Sequence, residues 1–132
     1  MRILDWVGPL LLCEEEVRRV PADLSGVYLL HVFHPGDGYY QPIYVGKSCD
    51  VQTRLSQHLS SRSSSSPEIV ALRSYFRLYF SAAPVFDSKE RDGAESALIQ
   101  VLRPRCNRQV PRVVAVYPNL PPMALRFNFE GE

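Results

Sequence analysis

Residues 43–58, IYVGKSCDVQTRLSQH, constrain this chain more than any other stretch. Ile43, Tyr44 and Val45 are β-branched or aromatic and predict a short strand. Gly46 predicts a turn, and Asp50 offers a side-chain oxygen suited to capping a helix. On that helix Arg54 and His58 stand four residues apart and so share a face. Val51, Leu55 and Leu59 repeat at the same spacing about 100° away, an apolar stripe to be buried. The stretch thus gathers a phenol, the Lys47 ammonium, a guanidinium and an imidazole at one edge. Such a set suits a phosphate.

At 132 residues the chain has the length of one domain with a real core. Its formal charge of +1 means that a polynucleotide would have to be met by a local patch. Arg103, Arg105, Arg108 and Arg112 supply such a patch with no acid among them, and Arg62 adds to it. Cys13, Cys49 and Cys106 are an odd number without C-x-x-C spacing, which predicts neither a disulfide framework nor a zinc site. Cys49 and Cys106 read as inert small hydrophobes, and a reducing, cytoplasmic setting is the expectation. The apolar run from Trp6 to Cys13 is broken by Gly8 and Pro9 and lacks a basic flank, so no membrane span or export signal is expected.

Residues 1–12 predict an extended apolar segment and 13–19 one acidic helical turn. GVYLLHVF at 26–33 predicts a strand buried on both faces. The cluster HPGDG at 34–38 is a turn, so 39–46 should return as its antiparallel partner and set Tyr28 beside Tyr44 on one face. The serine run 60–66 predicts a surface loop, Pro67 opens a short helix to about Ser74, and Tyr75 to Ala82 predicts a third strand. Asp87 with Glu90 three positions on is a capping box. The helix it opens should end near Leu102, before Pro104, with Ala94, Ala97, Leu98, Val101 and Leu102 inward and Asp92, Ser96, Gln100 and Arg103 wet. Glu95 then falls on the border between solvent and core. In the tail, 113–117 and 124–129 predict further strands.

Phosphodiester hydrolysis needs an oriented water, neutralisation of the non-bridging oxygens and, commonly, a carboxylate-held cation. The planar fork of Arg54 suits the phosphate, and Glu95 suits Mg²⁺ or Mn²⁺. A phenol with a pKa near 10 is a poor base at neutral pH, so Tyr28 or Tyr44 would need nearby cations, Lys47, Arg54, His58 and the metal, to favour its phenolate. His58 could shuttle a proton or steady a tyrosine hydroxyl. Gly46-Lys47-Ser48 is not the end of a P-loop, because position 41, where that motif needs glycine, is Gln.

Taken in order, these residues resemble the GIY-YIG nuclease family. Gly26-Val27-Tyr28 and Tyr44-Val45-Gly46 match its two tripeptides, and Arg54 and His58 follow at its spacing. Glu95 in GAESALIQVLRPRCN looks like its metal-binding glutamate, and Asn107 like its late asparagine. Each residue alone has an ordinary reading as a core aromatic, a surface cation or a helix glutamate; the ordered set carries the resemblance, over about residues 24–108. It implies an α+β fold, a small three-stranded antiparallel sheet flanked by helices, to which the terminal extensions 1–23 and 109–132 could add strands. It also implies a divalent-metal-dependent DNA endonuclease. Tyr28 would orient or activate water, Tyr44 support it, Arg54 clamp phosphate, Glu95 hold the metal and Asn107 brace the site. No separate DNA-binding region is evident, which leaves two alternatives. One is a non-catalytic module binding nucleic acid or a protein; the other is a nuclease that a protein partner targets or activates. Oligomeric state is open.

Overall fold

A computed structural model describes residues 3–60 and 67–107. The elements run β1 (Val7–Leu11), α1 (Glu14–Val17), β2 (Gly26–His34), β3 (Tyr39–Ser48), α2 (Val51–Leu59), α3 (Pro67–Tyr75), β4 (Leu78–Pro84) and α4 (Ser88–Leu102). The strands form one four-stranded antiparallel sheet in the order β1-β4-β2-β3. The expected three-stranded core is β2, β3 and β4. Its extra strand comes from the N-terminal segment, which pairs with β4. Pro9 fits there because an edge strand leaves one side without ladder bonds. The strands expected at 113–117 and 124–129 lie outside the described residues.

β2 is central, and every residue from Gly26 to Val32 is buried. Alternation along it divides the core into two layers. On one face Tyr28, Leu30, Val32, Phe80 and Ala82 pack with Val17, Val51, Leu55 and Ile69 from α1, α2 and α3. On the other, Val27, Leu29, Val45 and Ala83 pack with Ala94, Leu98 and Ile99 of α4. The sheet is therefore covered on both sides, which is why β2 is apolar without alternation.

Two helix caps form where the sequence signals them. The Asp50 carboxylate accepts from the Thr53 amide at 3.1 Å, and the Asp87 carboxylate accepts from the Glu90 amide at 3.0 Å. Three details differ from expectation. The strand predicted to begin at Tyr75 begins at Leu78; helical bonding continues through the Phe76 amide to the Leu72 carbonyl at 2.8 Å and outweighs the β propensity of the aromatic run. In α4, Ile99 is buried whereas Val101 is 39% exposed. Leu4 and Trp6 join that cluster, a cover that helical periodicity cannot foresee. Cys49, expected as a small hydrophobe, is exposed, while Cys106 is buried.

Candidate active site

The register of β2 on β3 builds the first half of the site. Tyr28 stands opposite Gly46 and Leu30 opposite Tyr44, after which the pairing shifts so that His31 faces Pro42. Ile43 is the extra residue of this bulge. The bulge lies beyond Tyr44, so Tyr28, Tyr44 and Gly46 keep one face. Gly46 sits inside β3 and does not make the expected turn. A Cβ there would collide with the ring and hydroxyl of Tyr28, so glycine is what lets that ring lie across β3.

α2 completes the cluster. The Tyr28 and Tyr44 rings are 6.1 Å apart, and the His58 ring lies edge-on to both, at 5.6 Å from each. The Tyr28 hydroxyl and His58 Nε2 are 2.9 Å apart. Burial pushes the Tyr28 phenol well above its ordinary pKa; Tyr44 raises it further, and the adjacent Arg54 guanidinium only partly offsets this. At Tyr28 desolvation therefore outweighs the neighbouring cationic side chain. Burial, then the charges of Arg54 and Arg73, lowers His58 to about 4, so near neutral pH its imidazole is uncharged. A neutral ring whose Nε2 accepts from Tyr28 satisfies both groups. Arg73 on α3 donates to the His58 carbonyl, a contact no sequence signal marked. Tyr28 and His58 are fully buried, while Tyr44 and Arg54 are partly exposed and form the part of this cluster that meets solvent.

The second half lies on the opposite face, at the same end of edge strand β3. Lys47 is exposed there, and its Nζ donates to Asp92 Oδ1 at 2.6 Å and lies 3.6 Å from Glu95 Oε1. Asp92 and Glu95 are three residues apart on α4 and so share a face. Asp92 is exposed, as its place on the wet stripe predicts; its pairing with Lys47 has one signal in the sequence, the helical spacing from Glu95. Lys47 holds Asp92 below the usual carboxylate range. Burial raises Glu95, and Lys47 only partly counters it. Glu95 is thus a half-buried carboxylate whose positive neighbour binds another acid more closely.

Asn107 joins the halves. Its carbonyl oxygen accepts from the Val45 amide at 2.8 Å and its amide donates to the Val45 carbonyl at 2.9 Å. The Cys106 amide also donates to the Ile43 carbonyl at 2.9 Å. Asn107 so satisfies backbone groups that an edge strand leaves unpaired and pins β3 between Tyr44 and Gly46.

A comparison with solved structures finds the GIY-YIG N-terminal endonuclease domain of UvrC from Thermotoga maritima. Two point variants of that domain, each bound to its catalytic divalent cation, match at 23% and 22% identity. Both give a TM-score of 0.51 and cover 74% of this chain and 100% of theirs. The magnesium-bound form matches at 23% identity and a TM-score of 0.50, covering 72% and 99%. The fold is GIY-YIG. No model of a protein family matches the chain, and no curated protein matches it in sequence.

Within the GIY-YIG frame, Tyr28, Tyr44, Arg54 and His58 form one cluster, Lys47 and Glu95 a second, and Asn107 pins the strand between them. Arg103 and Arg105 are exposed just past α4, where Arg103 adopts a left-handed conformation with φ 46°. Arg62, Arg108 and Arg112 lie outside the described residues. Among the described residues no three His, Cys, Asp or Glu side chains are grouped to cage a metal. Mg²⁺ needs no such cage, because it keeps several waters and takes one or two carboxylates. A half-buried carboxylate with incomplete charge compensation, as at Glu95, fits that mode.

Proposed function

We infer that this chain is a GIY-YIG endonuclease that hydrolyses phosphodiester bonds in DNA with Mg²⁺ or Mn²⁺. One observation supports the reading: on the GIY-YIG fold, Tyr28, Tyr44, Arg54 and His58 cluster on one face of the sheet beside β3, Lys47 and Glu95 pair on the other, and Asn107 binds the strand between them. Glu95 would hold the metal, which when bound supplies charge neutralisation and a water of lowered pKa. Arg54 clamps a non-bridging phosphate oxygen pair through its planar fork, and the partly exposed Tyr44 hydroxyl hydrogen-bonds the attacking water or the phosphate. Tyr28, its hydroxyl fixed by His58 and its phenol raised by burial, orients the water and holds Arg54 and Tyr44 in position. Lys47 adds positive charge to the scissile phosphate when it leaves Asp92. Asn107 keeps β3, and so Tyr44 and Lys47, in register. Arg103 and Arg105 extend the contact to the DNA backbone.

Incubated with supercoiled plasmid and Mg²⁺, the protein nicks or linearises it, and Glu95→Ala does not. Equal cleavage by Glu95→Ala would remove the metal role. Salt-dependent DNA binding with no cleavage under any metal would favour a non-catalytic module. The formal charge of +1 keeps that alternative in view.

A further inference from the structure

The end of the sheet remote from the candidate site carries chemistry that the proposed reaction does not use. β2 leaves Tyr28 and reaches Phe33 five residues on, about 17 Å along a strand at about 3.3 Å per residue. There a cavity of about 340 Å³ is lined by Phe33, His34, Tyr75, Phe76, Arg77 and Tyr79 among others. Its back wall is fixed. The Phe33 ring packs on Tyr40 at 4.8 Å, Tyr40 packs on Tyr79 at 5.0 Å, and Phe33 lies 6.2 Å from Tyr79. Its rim is open: Tyr75 is 84% and Phe76 48% exposed. Among the described residues no carboxylate lines it. Arg77 brings the permanent charge, and among the described residues it has no hydrogen-bond or ion-pair partner.

Exposed rings beside an unpaired guanidinium suit a ligand with a flat π-face and an anionic backbone. A proline-rich peptide would use the rings but bring no charge for Arg77. A second copy docked groove to groove by a two-fold axis would present the same lining, which among the described residues holds no carboxylate for Arg77. Charge complementarity therefore favours a nucleic acid. We propose that this groove stacks an unpaired base of a DNA single strand and that Arg77 takes a neighbouring phosphate. The proposal rests on the reading of the chain as a DNA nuclease and sharpens its substrate: DNA with an unpaired stretch beside the scissile phosphate, in preference to continuous duplex.

Binding of a fluorescent oligothymidylate to the full chain, followed by anisotropy in EDTA, separates this proposal from the nuclease reading. Tyr75→Ala/Phe76→Ala weakens binding about tenfold or more, the worth of one stacked base, with an unchanged circular-dichroism melting curve. Arg77→Gln weakens it and flattens its salt dependence. Equal binding by wild type and both variants would overturn the groove, as would capture of a proline-rich peptide in place of DNA. A dimer that the double variant abolishes would do the same. Plasmid cleavage with oligonucleotide binding indifferent to Tyr75 and Phe76 removes the groove alone. Binding that depends on those rings without cleavage removes the nuclease reading and leaves the groove.

Discussion

His58 and His31 lie on opposite faces of the sheet, both fully buried and both 2.9 Å from a hydroxyl oxygen through Nε2. Both resist protonation, His58 down to about 4 and His31 to about 3. Burial alone accounts for His31, whose Nε2 meets Ser81 and whose Nδ1 has no partner among the described residues. At His58 burial is joined by Arg54 and Arg73, and the hydroxyl belongs to a phenol that itself touches Tyr44 and Arg54. A sealed imidazole with a perturbed pKa is thus no mark of a site. What separates the two is the company: a serine and the Tyr40 ring for one, a guanidinium and two phenols opening toward solvent for the other.

Substitutions on the two faces should therefore diverge. The largest expected effect is at Glu95, where Glu95→Gln abolishes plasmid cleavage while leaving the melting temperature within a few degrees, since the side chain borders solvent. Next is Gly46→Ala. The new methyl displaces the Tyr28 ring, costing about 1–3 kcal/mol of stability in urea titration together with most of the cleavage rate. Third, His58→Leu leaves the Tyr28 hydroxyl without its acceptor and lowers cleavage about 10- to 100-fold. His31→Leu/Ser81→Ala removes both partners of the other pair and keeps the wild-type rate, with stability changed by about 1.5 kcal/mol or less. Matching losses from the two would erase the distinction drawn here.

One pH effect is common to the two histidines. An unfolded histidine takes its proton near 6.5, whereas these resist to about 4 and 3. Between those values the unfolded chain holds more protons, so stability is complete above about pH 6.5 and falls as pH drops. Each histidine contributes up to about 1.4 kcal/mol per pH unit there. Urea midpoints from pH 7 to pH 4.5 check this, and His31→Leu/Ser81→Ala should halve the slope. An unchanged slope would mean that His31 titrates normally.

Much of the sheet was legible because β2 and β3 carry local signals, an unbroken apolar run, a glycine-rich turn and a β-branched return. The caps at Asp50 and Asp87 were legible for the same reason. Gly46 was misjudged because a strand glycine and a turn glycine look alike until the ring across the sheet is known. The strength of the desolvation at Tyr28 was not legible, because charge is visible in a sequence and burial is not. Asp92 was passed over since its partner, Lys47, stands 45 residues away. Asn107 could be nominated by its place in an ordered motif, but its two bonds to Val45 depend on β3 being an edge strand, a property of topology.

Arg54 offers the most direct test, because it is partly exposed and its removal should spare the fold. With Mg²⁺ and supercoiled plasmid, the account predicts cleavage by the wild-type chain and a rate at least about 100-fold lower for Arg54→Ala at an unchanged melting temperature. Arg54→Lys should restore little, since a point charge lacks the planar fork. Wild-type cleavage by Arg54→Ala would contradict the account.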